Sequence, residues 1–225
     1  MSHTSTQPLT VAAAVAQAAQ RLSSAGLAVG HGTTNAEDEA AWLVLWRLGL
    51  PLDSDLSDAP DSIAHRTVTA EEAAAVDALI AQRIQTRKPA AYLTHEAWLQ
   101  GVPFYVDERA IVPRSFIAEL LADGSIDDFL GEHTRRVLDL CTGNGSLAIL
   151  AAMAYPEVEV TGADISADAL AVARINVDKH GLAQRVQLQI SDGMESLPGP
   201  WDLIQPALRQ RAKHVEPACR IPGRA

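Results

Sequence analysis

Cysteine is scarce. Cys141 and Cys219 are the two in 225 residues, too few for a disulfide framework and suited to the reducing cytoplasm. Long apolar runs are missing as well: the alanine-rich stretch 11–19 is broken by Gln17 and too short to span a bilayer. No basic leader precedes it, so it does not read as a signal peptide. Metal-ligand spacing is absent, because the seven histidines are scattered and none stands with a cysteine or acid at zinc-site intervals. Basic residues are outnumbered 18 to 28, and the net charge of −10 disfavours direct nucleic-acid binding while permitting a small basic protein partner.

The charge deficit is uneven. From residue 205 onward five basic residues (Arg209, Arg211, Lys213, Arg220, Arg224) face one acid, Glu216, which leaves −14 on the chain before them. A solvated basic tail is one reading of that inversion; a second follows from the coding sequence, below.

What is present begins with helices. Val11, Ala14, Val15, Ala18 and Leu22 recur at helical spacing, with Gly26 as a stop. Thr34 with Glu37 makes a capping-box pattern before a second helix whose Trp42, Leu45 and Trp46 share a face suited to core packing. Thr69 with Glu72 repeats the signature, and Ala73, Val76, Ile80 and Ile84 form a stripe that Pro89 ends. Residues 1–90 are therefore expected to be a helical bundle. The period then changes: 92–98, Gly101 and 102–106 predict a β-hairpin inside a linker spanning 91–116, followed by a short helix near 117–122.

From residue 137 strands and helices alternate. V-L-D-L-C at 137–141 is a buried strand, and T-G-N-G at 142–145 a glycine turn. Leu147, Leu150, Ala151 and Ala154 mark the helix that follows. A second strand over 158–165 ends at Asp164, Ser166 caps another helix with Gly181 beyond it, and a third strand over 186–190 precedes Asp192. Trp201 to Ile204 starts a fourth. This alternation predicts a parallel, doubly wound sheet with its ligand site beyond the carboxyl ends of the strands.

At that end, Gly143 and Gly145 let backbone approach a ligand, with the amides about Asn144 near a helix N-terminus. Asp164 is placed for two ribose hydroxyls, or else caps the next helix. Asp192 is placed for an adenine amino group, or else is a loop acid. A nicotinamide dinucleotide and S-adenosylmethionine both satisfy such a pocket, and Ala148 permits the small third residue that a pyrophosphate needs. Asp139 inside the strand fits S-adenosylmethionine better, since an acid there orients the turn or meets the methionine ammonium.

R-K-P-A-A-Y-L at 87–93, F-Y-V at 104–106, V-P-R-S at 112–115 and V-L-D-L-C-T-G-N-G at 137–145 together resemble the HemK/PrmB family of protein-glutamine N5-methyltransferases. The likeness is greatest to the PrmB branch, which modifies a large-subunit ribosomal protein. It covers about 9–204, and Phe116 departs from the proline usual at that place. The resemblance implies an α/β fold: an N-terminal helical substrate-recognition domain (1–90) and a seven-stranded Rossmann-like methyltransferase domain, here partial over 117–204. It implies S-adenosylmethionine held by Asp139, Gly143, Asn144, Gly145, Asp164 and Asp192, and displacement of its methyl group by a glutamine amide nitrogen, a reaction promoted mostly by positioning.

The family's Asn-Pro-Pro-Tyr, which aims that nitrogen, should follow Ile204 directly. Gln205-Pro-Ala-Leu stands there instead, so no catalytic residue can be assigned. Back-translation read from the second base of the Gln205 codon is compatible with N-P-P-Y-V-N-A-Q-S-M-S-S-L-P-A-E-Y-R-A-E through Arg224. The reading is a shifted frame after Ile204, with 205–225 an aberrant, disordered tail and the chain inactive. The alternatives are a non-catalytic binding module with a half-formed nucleotide pocket and a basic tail, and a nicotinamide-dependent enzyme.

Overall fold

The computed structural model describes residues 8–30, 33–127, 130–131 and 133–206. The chain divides into two compact units, Met1–Thr94 and His95–Ala225.

The first unit is built on α1 (Val11–Ser24), α2 (Ala36–Arg47), α3 (Ala70–Thr86) and the short α4 (Ala90–Thr94). Val11, Ala14, Ala18 and Leu22 bury one face of α1 against Leu43 and Val44 of α2 and Val76 and Ile80 of α3. Trp42 and Trp46 pack partly buried against the same core, the packing role expected of them. Gly26 adopts φ +57 just past α1, where its amide closes onto the Ser23 carbonyl. The capping box at Thr69 and Glu72 forms in both directions.

The box expected at Thr34 and Glu37 does not form; Asn35 is the N-cap, its Oδ1 accepting from the Asp38 amide at 2.7 Å. Asparagine outranks threonine at that position, and Thr34 instead donates to the Asp38 carboxylate at 2.7 Å. Across the core, Arg83 and Glu39 form a buried pair with Nε to Oε1 at 2.8 Å. The guanidinium Nη2 also donates to the Ala28 carbonyl at 3.1 Å.

The second unit opens with a hairpin of β1 (Ala97–Leu99) and β2 (Val102–Phe104), paired antiparallel. Gln100 and Gly101 both take positive φ, the two-residue turn that suits the strands' twist. The predicted first strand over 92–98 is shorter than expected, because Tyr92 and Leu93 continue the turn of α4 after Pro89; proline at a helix entry costs no hydrogen bond. Helix α5 (Phe116–Ala122) starts one residue earlier than predicted, with Ser115 as N-cap.

Then come β3 (Arg136–Leu140), α6 (Ser146–Ala154), β4 (Glu159–Asp164), α7 (Ala167–Lys179), β5 (Val186–Ile190) and β6 (Leu203–Pro206). All four strands are parallel in the order β5-β4-β3-β6. The chain winds outward from β3 to β5 and then crosses to the other side of β3, a reversal that opens a crevice at the carboxyl ends beside β3. This is a Rossmann-like, doubly wound architecture.

Helix α6 is apolar all round, with seven of its nine residues buried, as befits a helix covered on several sides. The fourth strand is displaced from the expected 201–204. It reaches Gln205 and Pro206, two residues expected in the aberrant tail, because their backbone continues the ladder opposite Asp139 and Leu140. Expectations for the rest of the tail, and for Cys219, lie outside the described residues.

Candidate functional site

Strand β3 sets the site. Val137, Leu138, Asp139 and Leu140 are all buried, as in a strand covered on both faces. Immediately after it, Cys141, Gly143 and Gly145 take φ of +60, +58 and +81, and this sequence of left-handed residues swings the chain into α6. Gly143 has open space where a Cβ would stand. Gly145 does not: a Cβ there would lie 3.0 Å from the Ala173 Cβ on α7. The second glycine is thus required by helix packing, whereas the first leaves a face bare.

Asp139 ties the turn together. Its Oδ2 accepts from the Thr142 hydroxyl and from the Ala148 amide at 3.1 Å, at the positive end of α6. Its Oδ1 is buried with no hydrogen-bond partner. Burial pushes the carboxyl up to about 7, against the pull of the Thr142 hydroxyl and Ala148 amide; the charge on Asp164 adds to the rise.

Asp164 at the end of β4 does two jobs. Oδ2 accepts from the Gly143 amide at 2.9 Å and Oδ1 from the Ser166 amide at 3.0 Å. Ser166 caps α7 through Ala169, so helix capping does not require Asp164. The Ser191 amide donates to the Asp164 carbonyl at 3.0 Å, bringing the end of β5 beside the end of β4. Asp192 follows there, with its Oδ1 buried and unpartnered.

Asn144 is buried as well; its Oδ1 accepts from the Ser146 amide at 3.3 Å, while its Nδ2 has no partner. The structure therefore links Gly143 to Asp164 and Asp139 to the turn, seats Gly145 against α7, and leaves one buried polar atom unsatisfied on each of Asp139, Asn144 and Asp192. Buried polar atoms without partners are costly, so their placement at the carboxyl ends of β3 and β5, on either side of β4, marks a place where a ligand supplies the missing partners. Between the turn and the segment carrying Pro113, Arg114 and Phe116 lies an open cleft of about 320 Å³.

Two contributors escaped the sequence reading. Thr142 bonds Asp139, and it has room to do so because Gly162, opposite Asp139 on β4, carries no side chain; a Cβ there would stand 2.9 Å from Thr142 Oγ1. A glycine inside a strand pattern signals such a close approach. The second is Asn176, fully buried on α7, which a helical stripe of apolar residues concealed.

Residues 119–215 match the family described as "Methyltransferase small domain". A protein of Burkholderia pseudomallei described as "Ribosomal protein uL3 glutamine methyltransferase" is 50% identical over 208 residues, covering 89% of this chain and 64% of that protein. A Neisseria gonorrhoeae protein of the same description is 48% identical, covering 83% and 61%. A Bordetella pertussis protein, again so described, is 44% identical over 223 residues, covering 92% of this chain and 72% of that protein. The chain spans about three fifths of the length of the first two relatives.

Proposed function

The chain belongs to the ribosomal protein uL3 glutamine methyltransferase family, and we propose that its second unit is the S-adenosylmethionine-binding half of such an enzyme. The observation that carries this reading is the unsatisfied buried atoms at the carboxyl ends of β3 and β5, Asp139 Oδ1, Asn144 Nδ2 and Asp192 Oδ1, with Gln205 Oε1 of β6 a further unpartnered acceptor. The two acid oxygens and the one donor suit a ligand that bears an ammonium, a carboxylate and an adenine amino group. Asp139 would face the ammonium, Asp164 the ribose hydroxyls and Asp192 the adenine. The Ala148 amide is already engaged by the Asp139 carboxyl, so it does not offer itself to a dinucleotide's pyrophosphate. S-adenosylmethionine supplies an electrophilic methyl group on a sulfonium.

The chain's own residues bind and orient. Gly143 exposes backbone to the ligand, Asp164 holds that backbone from beneath, and the apolar Pro113, Phe116 and Leu147 restrict water along the cleft. The acceptor expected from the family is a glutamine side chain of a large-subunit ribosomal protein, in the cytoplasm. Positioning that amide calls for a short carboxamide followed by Pro-Pro-Tyr directly after Ile204, and position 205, within β6, carries a longer one. Gln205 Nε2 donates to the Leu147 carbonyl at 3.3 Å, behind the turn. We therefore expect cofactor binding without methyl transfer, and a reading-frame shift after Ile204 as the origin of the substituted motif.

Calorimetric titration with S-adenosylmethionine and, separately, NADH tests the ligand; heat from the dinucleotide alone would sink the proposal. Transfer of labelled methyl groups to large-subunit ribosomal protein by the 225-residue chain would overturn the inactivity. Sequencing the gene across the Ile204 codon decides the frame: the shifted reading must spell Asn-Pro-Pro-Tyr.

A further inference from the structure

Asn176 is fully buried among apolar neighbours on α7, and its carboxamide is satisfied entirely by main chain. Oδ1 accepts from the Tyr105 amide at 2.7 Å. Nδ2 donates to the Tyr105 carbonyl at 3.0 Å and to the Asn144 carbonyl at 2.9 Å. One side chain thus imitates a strand partner for Tyr105 and at the same time grips the glycine turn. One helical turn earlier, Ala173 fills the space that Gly145 leaves, so α7 braces two consecutive residues of the turn from the same face. Beside them, His180 Nε2 lies 3.0 Å from the Pro103 carbonyl and its ring meets Phe104 edge-on. The end of β2 is therefore docked along the C-terminal half of α7.

We infer that Asn176 is a positioning residue for the cofactor turn, one that makes the turn's binding geometry depend on the docked 103–105 segment. The physical reason is the direction of the Asn144 peptide. A carbonyl held by Nδ2 points into α7, so it is kept away from the face the ligand approaches, and the Asn144 side chain is left with its unpartnered Nδ2 for that ligand. Without the Nδ2 donor, the carbonyl is a buried acceptor lacking a partner, and the peptide gains by turning to find one. No step of methyl transfer involves Asn176, and the inference rests on the proposed identity of the ligand.

The substitution Asn176→Asp is nearly isosteric. It keeps an acceptor for the Tyr105 amide but sets a carboxylate oxygen against the Asn144 and Tyr105 carbonyls. Val177→Ala serves as the control: Val177 is the next residue on α7, equally buried, and packs in the apolar core. Full-length wild type and both variants are titrated with S-adenosylhomocysteine well below their melting temperatures, and their melting temperatures are recorded without ligand. The expected result is binding weakened at least about tenfold in N176D and within about twofold of wild type in V177A, with both destabilised, since a lost hydrogen bond of this kind corresponds to about one decade in affinity.

Equal weakening in the two variants, or wild-type affinity in folded N176D, overturns the inference. If N176D does not fold, Asn176→Ala, which removes the donor and leaves the site uncharged, takes its place under the same criterion. Failure of wild type to bind at all is a different outcome, and it removes the proposed ligand rather than the role of Asn176 alone.

Discussion

The Asp164 carboxylate and the Gly143 amide meet at 2.9 Å across twenty-one positions of sequence, joining the end of one strand to the turn after its neighbour. Asp164→Ala deletes that acceptor and the one serving Ser166. A hydrogen bond to a charged group contributes about 1.5–3 kcal/mol, so S-adenosylmethionine affinity should fall by more than about tenfold. Calorimetry on the variant checks this; unchanged affinity would mean that the turn holds its shape without Asp164.

The two glycines of the turn should respond differently to alanine. Gly143→Ala meets open space and suffers only the positive φ, about 1–2 kcal/mol. Gly145→Ala suffers the same backbone strain and also presses on Ala173, and overpacking adds about 1–3 kcal/mol. Urea denaturation should therefore rank G145A as the less stable variant, while ligand titration should show G143A to be the more damaging to binding relative to its stability loss.

Asp139 makes stability and binding depend on pH. Its carboxyl is raised by burial from 3.8 to about 7, so between these values the native state binds more protons than the unfolded chain. Its contribution is complete below the unfolded value and is lost as pH rises through about 7. Asp139→Asn should flatten the fall in stability between pH 4 and 7 that this carboxyl causes, as read from denaturation midpoints. A ligand ammonium beside Oδ1 favours the ionised form, so binding near pH 6 should release protons. Calorimetry in buffers of different ionisation enthalpy measures that release.

The buried pair of the first unit gives a prediction independent of any ligand. Replacing Glu39 by Ala leaves Arg83 charged and enclosed, a loss of about 3–5 kcal/mol for a pair of this kind. Hydrogen exchange in α2 and α3 should accelerate accordingly. Exchange at the wild-type rate would show that water reaches Arg83 freely.

Much of the architecture was legible because local signals and burial agree. Thr69 and Glu72 cap α3 in both directions, Ser166 caps α7, and 186–190 forms a strand over the predicted residues. At Thr34 and Asn35 two capping residues compete side by side, and the spacing of Thr34 and Glu37 points to the threonine although asparagine is the stronger cap. At Tyr92 a β-favouring aromatic is outweighed by the helix entry at Pro89. Within the site, the acids Asp139, Asp164 and Asp192 stood out by their places at or near strand ends. Asn176 did not, since a polar residue on a helix reads as solvent-facing until the backbone of Tyr105 is seen beside it. After Ile204 the relation is the opposite one: Gln205 and Pro206, expected in an aberrant tail, extend the strand instead.

Position 205 illustrates what that means. The ladder between β6 and β3 sets the Gln205 Cα opposite that of Asp139, and main-chain hydrogen bonds do this whatever side chain follows. The address in the fold is written in backbone, and the occupant is a separate matter. A substitution at this point can therefore exchange the chemistry offered beside the turn while the scaffold that presents it stays where it was, so that holding a ligand and acting on it are separable properties of the fold.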